Sequence, residues 1–109
     1  RGMDMVRGDV YLVDLTPTKG AEIKKTRPAV IISPDEMNST TKTVIIAPLT
    51  STIRAYPFRV ECTFQKKNGQ LALDQIRSLD KKRLIKKLGK FSTPKINNIL
   101  SRLSMIFSP

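Results

Sequence analysis

Short runs of apolar and β-branched residues alternate with polar, turn-forming segments along most of the chain. Runs of this kind predict β-strands. We expect strands over residues 5–15, 28–33, 43–49, 58–64, 70–78 and 84–88, with Gly8 as a bulge or kink in the first. Strands this short, with a turn signal about every ten residues, indicate a small antiparallel barrel or sandwich.

Helical signals are confined to three places. Ser33 is expected to cap a short helix that opens with a proline and two acids, and Asp80 is expected to cap a single helical turn. Ser92, followed two residues later by Pro94, opens a longer C-terminal helix. Its apolar stripe comprises Ile96, Ile99, Leu100, Leu103, Ile106 and Phe107. This stripe packs on the sheet, and it could also serve a dimer interface.

Three polar segments join these elements. Residues 16–25 form a loop with three lysines, and loops of that length inside a small domain are often functional. Residues 50–57 form a second loop that starts with hydroxyl side chains, and residues 65–70 form a hairpin turn.

The charge balance narrows the classes of partner. The chain has 20 Lys and Arg against 9 Asp and Glu, a formal net charge of +11. Such an excess attracts polyanions, so nucleic acid, an acidic protein or an anionic membrane surface are favoured. No stretch approaches the roughly 18 apolar residues of a membrane span, and no signal segment opens the chain, so we expect a cytoplasmic protein without a membrane partner. One domain is expected over residues 1–109, with residues 1–4 disordered or added ahead of a start methionine.

The residue inventory excludes several chemistries. There is no histidine, there is one cysteine, and the carboxylates are scattered, so we expect neither a metal site nor a cofactor. Cys62 lies in a predicted strand, where a small packed thiol is expected rather than a nucleophile. The protein is therefore a binder, or an enzyme that relies on Arg, Thr, Ser, Gln and Asp side chains.

Arg27 is the first candidate for such chemistry. It stands immediately before Pro28, where the loop becomes a strand, and its guanidinium offers a permanent charge and a fork of donors to a phosphate. RNA cleavage by the substrate's own 2′-hydroxyl needs only alignment, charge stabilisation and proton transfer from the protein. Arg27 could stabilise the charge, and Thr50 or Ser51 could donate to a phosphate oxygen.

Four blocks in order resemble the MazF/PemK toxin family. They are residues 7–15 (RGDVYLVDL), 20–33 (GAEIKKTRPAVIIS), 47–51 (APLTS) and 73–80 (LDQIRSLD), with Arg83 beyond. The resemblance implies a small SH3-like, CcdB/MazF-type antiparallel β-barrel with a C-terminal helix. It further implies a homodimeric, metal-independent endoribonuclease that cuts single-stranded mRNA at a short sequence, leaves 2′,3′-cyclic phosphate and 5′-hydroxyl ends, and inhibits translation and growth. An acidic cognate antitoxin is the implied partner.

The same resemblance assigns roles to individual residues. Arg27 corresponds to the family's catalytic Arg and Thr50 to its catalytic Thr. The implied RNA-binding residues, taken from the blocks and from the loop after Thr50, are Lys19, Glu22, Lys25, Ser51, Arg54, Tyr56, Asp74, Gln75 and Arg77. Some relatives use a His in the first loop and an Arg where this chain has Ala72, so the group that transfers protons is left open here.

Two other functions are compatible with the same pattern. One is a DNA gyrase poison on the same fold, although such proteins depend on a C-terminal Trp-Gly-Ile and this chain ends in Phe107-Ser108-Pro109. The other is a non-catalytic binder of single-stranded RNA, recognised by salt-dependent binding without cleavage.

Overall fold

Seven antiparallel strands form one curled sheet in the part of the chain that the computed structural model describes, residues 5–15 and 26–109. The strands are β1 (Asp9–Asp14), β2 (Thr26–Ile31), β3 (Thr43–Thr50), β4 (Arg59–Phe64), β5 (Lys67–Ala72), β6 (Arg77–Asp80) and β7 (Leu84–Lys90). Their order is β4-β5-β3-β2-β1-β7, and β6 also pairs with β3. Helix α1 (Asp35–Thr40) follows β2, helix α2 (Thr93–Ile106) ends the chain, and 3₁₀ turns span Leu73–Gln75 and Lys81–Arg83. The predicted mainly β fold with a C-terminal helix is confirmed.

Apolar side chains cover both faces of the sheet. One layer includes Val10, Val30 and Leu71 and is closed by Phe91, just before α2, and by Ile99 within it. The other layer contains Tyr11, Val13, Ala29, Ile31, Val44, Ile46 and Leu79. Because both faces are buried, the central strands appear in the sequence as continuous apolar runs rather than as a strict alternation.

The predicted apolar stripe of α2 divides between two environments. Ile99 is 1% exposed, and Ile96 and Leu103 pack against the core. Ile106 and Phe107 at the end of the helix are exposed, Phe107 at 71%. Among the described residues, no helix is both long enough and apolar enough to cross a membrane.

The capping predictions have mixed outcomes. The Asp80 carboxylate accepts from the Lys82 N–H at 2.8 Å and the Ser92 hydroxyl accepts from the Lys95 N–H at 3.4 Å, so both of these caps are confirmed. Ser33 does not cap α1. Its hydroxyl donates to Asn38 Oδ1 at 2.5 Å and accepts from the Ile45 N–H at 3.0 Å, because Ser33 is buried between the helix and β3.

Turns shorten several predicted strands and loops. Gly8 precedes β1 with φ +100°, so the first strand begins at Asp9 rather than within the run from residue 5. The hairpin between β4 and β5 turns at Gln65 and Lys66, both with positive φ, so β5 starts at Lys67 and not at residue 70. A pair of left-handed residues matches the twist of the two strands, which allows the shorter turn.

The predicted strand over residues 70–78 is wrong. Thr50 pairs with Gln70 and Ile46 pairs with Arg77, so four steps along β3 correspond to seven steps along the opposing chain. The three additional residues form the 3₁₀ turn Leu73–Gln75 between β5 and β6. Where the sequence predicted one strand, the chain therefore forms the end of β5, a 3₁₀ turn and the start of β6.

Pro48 explains why the ladder is interrupted there. The Ile32 N–H donates to the Ile45 carbonyl at 2.9 Å, so Ile45 directs its backbone groups toward β2. Backbone direction alternates along an antiparallel strand, which turns the Pro48 nitrogen toward β5 and β6. Proline has no N–H to donate, so no main-chain donor of Pro48 is left unpaired where Leu73–Gln75 leaves the sheet.

Candidate active site

Arg27 lies near the start of β2 and Thr50 lies at the end of the neighbouring antiparallel strand β3. Arg27 lies opposite Val13 at the start of β2, and β2 pairs with β3 from Ile31 with Ile46 to Ala29 with Pro48. The observed pairing ends there, and continued by two residues it would set Arg27 opposite Thr50. Directly opposed residues in an antiparallel pair point to the same face, and side chains two residues apart along a strand share a face. Arg27 and Thr50 are each two residues from the pair Ala29 and Pro48, so their positions belong to one face of the sheet.

The Arg27 guanidinium has one unsatisfied donor, its Nε, in the described part of the chain. Its Nε is the one buried side-chain nitrogen or oxygen there without a hydrogen-bond partner. Burying an unpaired charged donor is costly, and a guanidinium fork matches the oxygens of a phosphate or carboxylate. The position therefore suits an anion supplied by a ligand.

The Thr50 hydroxyl already accepts one hydrogen bond. It is half-buried at the end of β3, and its Oγ1 accepts from the Thr52 N–H at 3.1 Å. A hydroxyl that accepts in this way can still donate its own proton, and among the described residues no acceptor is recorded for it. Ser51, the next residue, is exposed.

Residues 51–58 form a loop after β3, which we call the 51–58 loop. Gln70, a residue of the sheet, holds this loop by two hydrogen bonds. The Gln70 Oε1 accepts from the Arg54 N–H at 3.0 Å, and its Nε2 donates to the Arg54 carbonyl at 2.9 Å. Gln70 is 2% exposed and is the strand partner of Thr50. Sequence reasoning missed this residue, because a glutamine in a strand carries no signal of a contact 16 residues away.

Arg59 is the second residue that sequence reasoning missed. Its Nε donates to Asp74 Oδ1 at 2.8 Å and its Nη2 to Asp74 Oδ2 at 3.3 Å. The Arg59 side chain is 6% exposed and its guanidinium carbon lies 5.4 Å from the centre of the Tyr56 ring, which stacks on Phe58 at 5.0 Å. These Arg59 hydrogen bonds hold the pKa of the Asp74 carboxyl below its usual range.

The remaining predicted RNA-binding residues are distributed around this site. Gln75 lies with Asp74 in the 3₁₀ turn. Arg77, at the start of β6, is exposed and pairs with Ile46 of β3. The Arg54 and Tyr56 side chains project from the 51–58 loop and are exposed. Lys19, Glu22 and Lys25, together with the predicted loop over 16–25, lie outside the described residues.

Cys62 behaves as the sequence predicted. It is 8% exposed in the apolar layer beneath α2, and burial raises the pKa of its thiol although Lys95 opposes the shift. Within residues 5–15 and 26–109, no group of three His, Cys, Asp or Glu side chains could hold a metal ion.

Solved structures with a similar fold include endoribonucleases and MazF proteins. An endoribonuclease in complex with its cognate antitoxin, from a Mycobacterial species, is 29% identical with a TM-score of 0.77, over 92% of this chain and 91% of that one. MazF from Deinococcus radiodurans is 26% identical with a TM-score of 0.80, over 96% and 97% of the two chains. A MazE–MazF crystal structure from the same organism also reaches 0.80 at 26% identity, over 96% of each chain.

The family model of PemK-like, MazF-like toxins of type II toxin–antitoxin systems matches residues 6–107. The chain belongs to this family. The resemblance predicted from the four sequence blocks is thereby confirmed.

Proposed function

We propose that this toxin is an endoribonuclease that cleaves single-stranded mRNA at a short sequence without a metal ion, leaving 2′,3′-cyclic phosphate and 5′-hydroxyl ends. The enzyme class is supported by the family and by the endoribonucleases among its structural relatives. Cleavage of mRNA would inhibit translation and growth, as expected of a toxin.

One observation carries the proposal: the buried, unpartnered Arg27 Nε on the face of the sheet that Thr50 shares. A scissile phosphate seated between them would satisfy the guanidinium and accept from the Thr50 hydroxyl. Both donors are fixed by strands, so they need little reorganisation as negative charge develops in the transition state.

The chemistry requires no group beyond substrate and side chains. The 2′-oxygen of the RNA attacks the adjacent phosphorus and loses its proton, while the bond from phosphorus to the 5′-oxygen breaks and that oxygen gains a proton. No water is consumed, which accounts for the cyclic phosphate and the free 5′-hydroxyl. Arg27 and Thr50 stabilise the pentacovalent phosphorus, and Arg27 acts as an electrostatic catalyst because a guanidinium stays protonated.

The surroundings supply a surface for the rest of the RNA strand. The exposed Arg54 and Arg77 side chains offer cations for phosphates, and the partly exposed Tyr56 ring offers a stacking surface for an unpaired base. Ser51, Asp74 and Gln75 border the same region. Lys19, Glu22 and Lys25 are assigned to RNA binding from the family blocks alone.

Two protein partners belong to the proposal. A net charge of +11 favours an acidic antitoxin that competes with RNA for the same basic surface, and a structural relative is in complex with its cognate antitoxin. A homodimer would cover the apolar end of α2, where Met105, Ile106 and Phe107 are 64%, 38% and 71% exposed.

The test is cleavage of a long single-stranded RNA in EDTA. Purified protein should produce discrete fragments with 2′,3′-cyclic ends, and primer extension across the transcript would identify the preferred sequence. Arg27→Ala and Thr50→Ala should abolish the fragments while circular dichroism stays unchanged.

Lys66→Ala is the matched control for charge. It removes one positive charge from the exposed hairpin turn and should leave cleavage intact. Intact RNA at equimolar wild-type protein would refute the proposal. Salt-dependent RNA binding without new fragment ends would instead identify a non-catalytic RNA binder.

A further inference from the structure

Gln70 connects the strand position opposite Thr50 to the middle of the 51–58 loop. We propose that Gln70 is a positioning residue, which holds this loop so that Thr50, Ser51 and Arg54 keep one arrangement against the RNA. The inference rests on the proposed cleavage function and adds to it a residue outside the family's sequence blocks.

The geometry of the contact requires a primary amide. Arg54 offers one main-chain N–H and one carbonyl, and the Gln70 side chain meets them with an acceptor and a donor at 3.0 and 2.9 Å. The pair imitates a rung of a β-ladder for a segment that is not a strand. At 2% exposure, the Gln70 amide has little solvent to replace either hydrogen bond, so loss of the contact would leave this buried amide unpaired.

Among the described residues, the other hydrogen bonds that hold the loop lie toward its ends, including one from the Arg59 N–H to the Tyr56 carbonyl at 3.1 Å. Near its start, the Thr52 N–H donates to Thr50 Oγ1, and near its end the Arg102 Nη1 donates to the Pro57 carbonyl at 2.7 Å. Residues 51–57 are all exposed, so no buried side chain of the loop itself fixes its middle. Gln70 supplies that attachment, and it does so from the residue paired with Thr50.

Strand β5 also sets the position of Thr50 through Gly69. A Cβ at Gly69 would lie 2.6 Å from the Thr50 carbonyl oxygen, so the two strands are in close backbone contact at this point. The end of β3 and the centre of the loop are therefore fixed by adjacent residues of one strand. Movement of either would change the distance between the Thr50 hydroxyl and the side chains that bind RNA.

Gln70→Glu tests this role because it makes the contact depend on protonation. The ionised carboxylate keeps an acceptor for the Arg54 N–H but sets an oxygen against the Arg54 carbonyl, whereas the protonated acid restores a donor. We expect kcat/KM on a long single-stranded RNA to fall about tenfold relative to wild type at about pH 9.5, since small displacements of positioning groups are costly. The ratio of variant to wild type should recover as pH is lowered from about 9.5 to about 5, since burial raises the pKa of a glutamate from about 4.3 to as high as about 9.

Asn68→Asp is the matched control. It makes the same amide-to-acid change two residues earlier on β5, where the exposed Asn68 Oδ1 accepts only from the Thr63 hydroxyl in the described hydrogen bonds. Its ratio to wild type should stay near one across the pH range.

Each outcome decides the inference. A Gln70→Glu variant equal to wild type at all pH values, or one equally impaired at all of them, would refute a role through the Arg54 contact. If Gln70→Glu does not fold, Gln70→Met removes both hydrogen bonds without adding charge, and wild-type cleavage by the folded Met variant would also refute it. Failure of the wild-type protein to cut RNA would instead remove the proposed function itself.

Discussion

Gly69→Ala should damage both the stability and the activity of this protein. Gly69 lies in β5, and the added Cβ would stand 2.6 Å from the Thr50 carbonyl oxygen and 3.5 Å from its carbonyl carbon. Carbon and oxygen normally approach no closer than about 3.3 Å, so the strands would have to separate by about 0.7 Å. The obstructing atoms are backbone and cannot move aside as a flexible side chain would.

The cost can be estimated from two opposing effects. Overpacking of this kind costs about 1–3 kcal/mol. Alanine leaves the unfolded chain less conformational entropy than glycine does. At an ordinary backbone conformation this difference stabilises the folded protein by about 0.4–1 kcal/mol. The midpoints of the two ranges leave a net loss of about 1.3 kcal/mol, which corresponds, for 109 residues, to a fall in Tm of about 6 °C.

Thermal unfolding and RNA cleavage together test the estimate. Because the displaced atoms belong to Thr50, we also expect kcat/KM to fall by about tenfold or more at a temperature where the variant is folded. Gly89→Ala is the matched control: its Cβ would lie 3.3 Å from the Phe64 ring, which can shift, so stability should change by less than about 1 kcal/mol with cleavage retained. A Gly69→Ala protein that melts and cleaves like wild type would refute the close approach of β5 to Thr50.

Three further predictions address the rest of the structure. In Asp74→Asn, the stabilisation of the carboxylate by Arg59 is lost. The folded-state pKa of Asp74 is depressed, so this stabilisation is present above the ordinary Asp pKa of about 3.9 and disappears as pH falls through the folded value. The difference in Tm between the variant and wild type should therefore shrink in acid. A difference that stays constant from neutral pH to acid would contradict this account. Ile99→Ala, at a site 1% exposed, should lower the free energy of unfolding by about 3 kcal/mol in urea titrations, and a loss within experimental error would show that α2 does not close the core. Phe107→Glu should convert the proposed dimer to monomer in analytical ultracentrifugation without loss of secondary structure, whereas an unchanged dimer would place the interface elsewhere.

Local signals in the sequence were sufficient for most of the elements and for the family. Asp80 and Ser92 cap helical turns by contacts two and three residues away, so their neighbours in the chain already contain the information. Pro28 likewise marks the segment where β2 forms and places Arg27 at its start. The four sequence blocks indicated the family because they contain several such positions in a fixed order.

The relations between strands were decided only by tertiary structure. Nothing near Asp74 in the sequence shows that Pro48, on another strand, allows the chain to leave the ladder at Leu73–Gln75. The contacts of Gln70 with Arg54 and of Arg59 with Asp74 span 16 and 15 residues, and no periodic pattern predicts them. Register across such distances is set by which apolar faces are buried together, since a slip of one residue would turn every side chain to the opposite face. The sequence by itself therefore determined most of the strands and two of the caps, and it placed Arg27 and Thr50 at strand ends, whereas packing of the two apolar layers decided how the strands pair and which distant side chains meet.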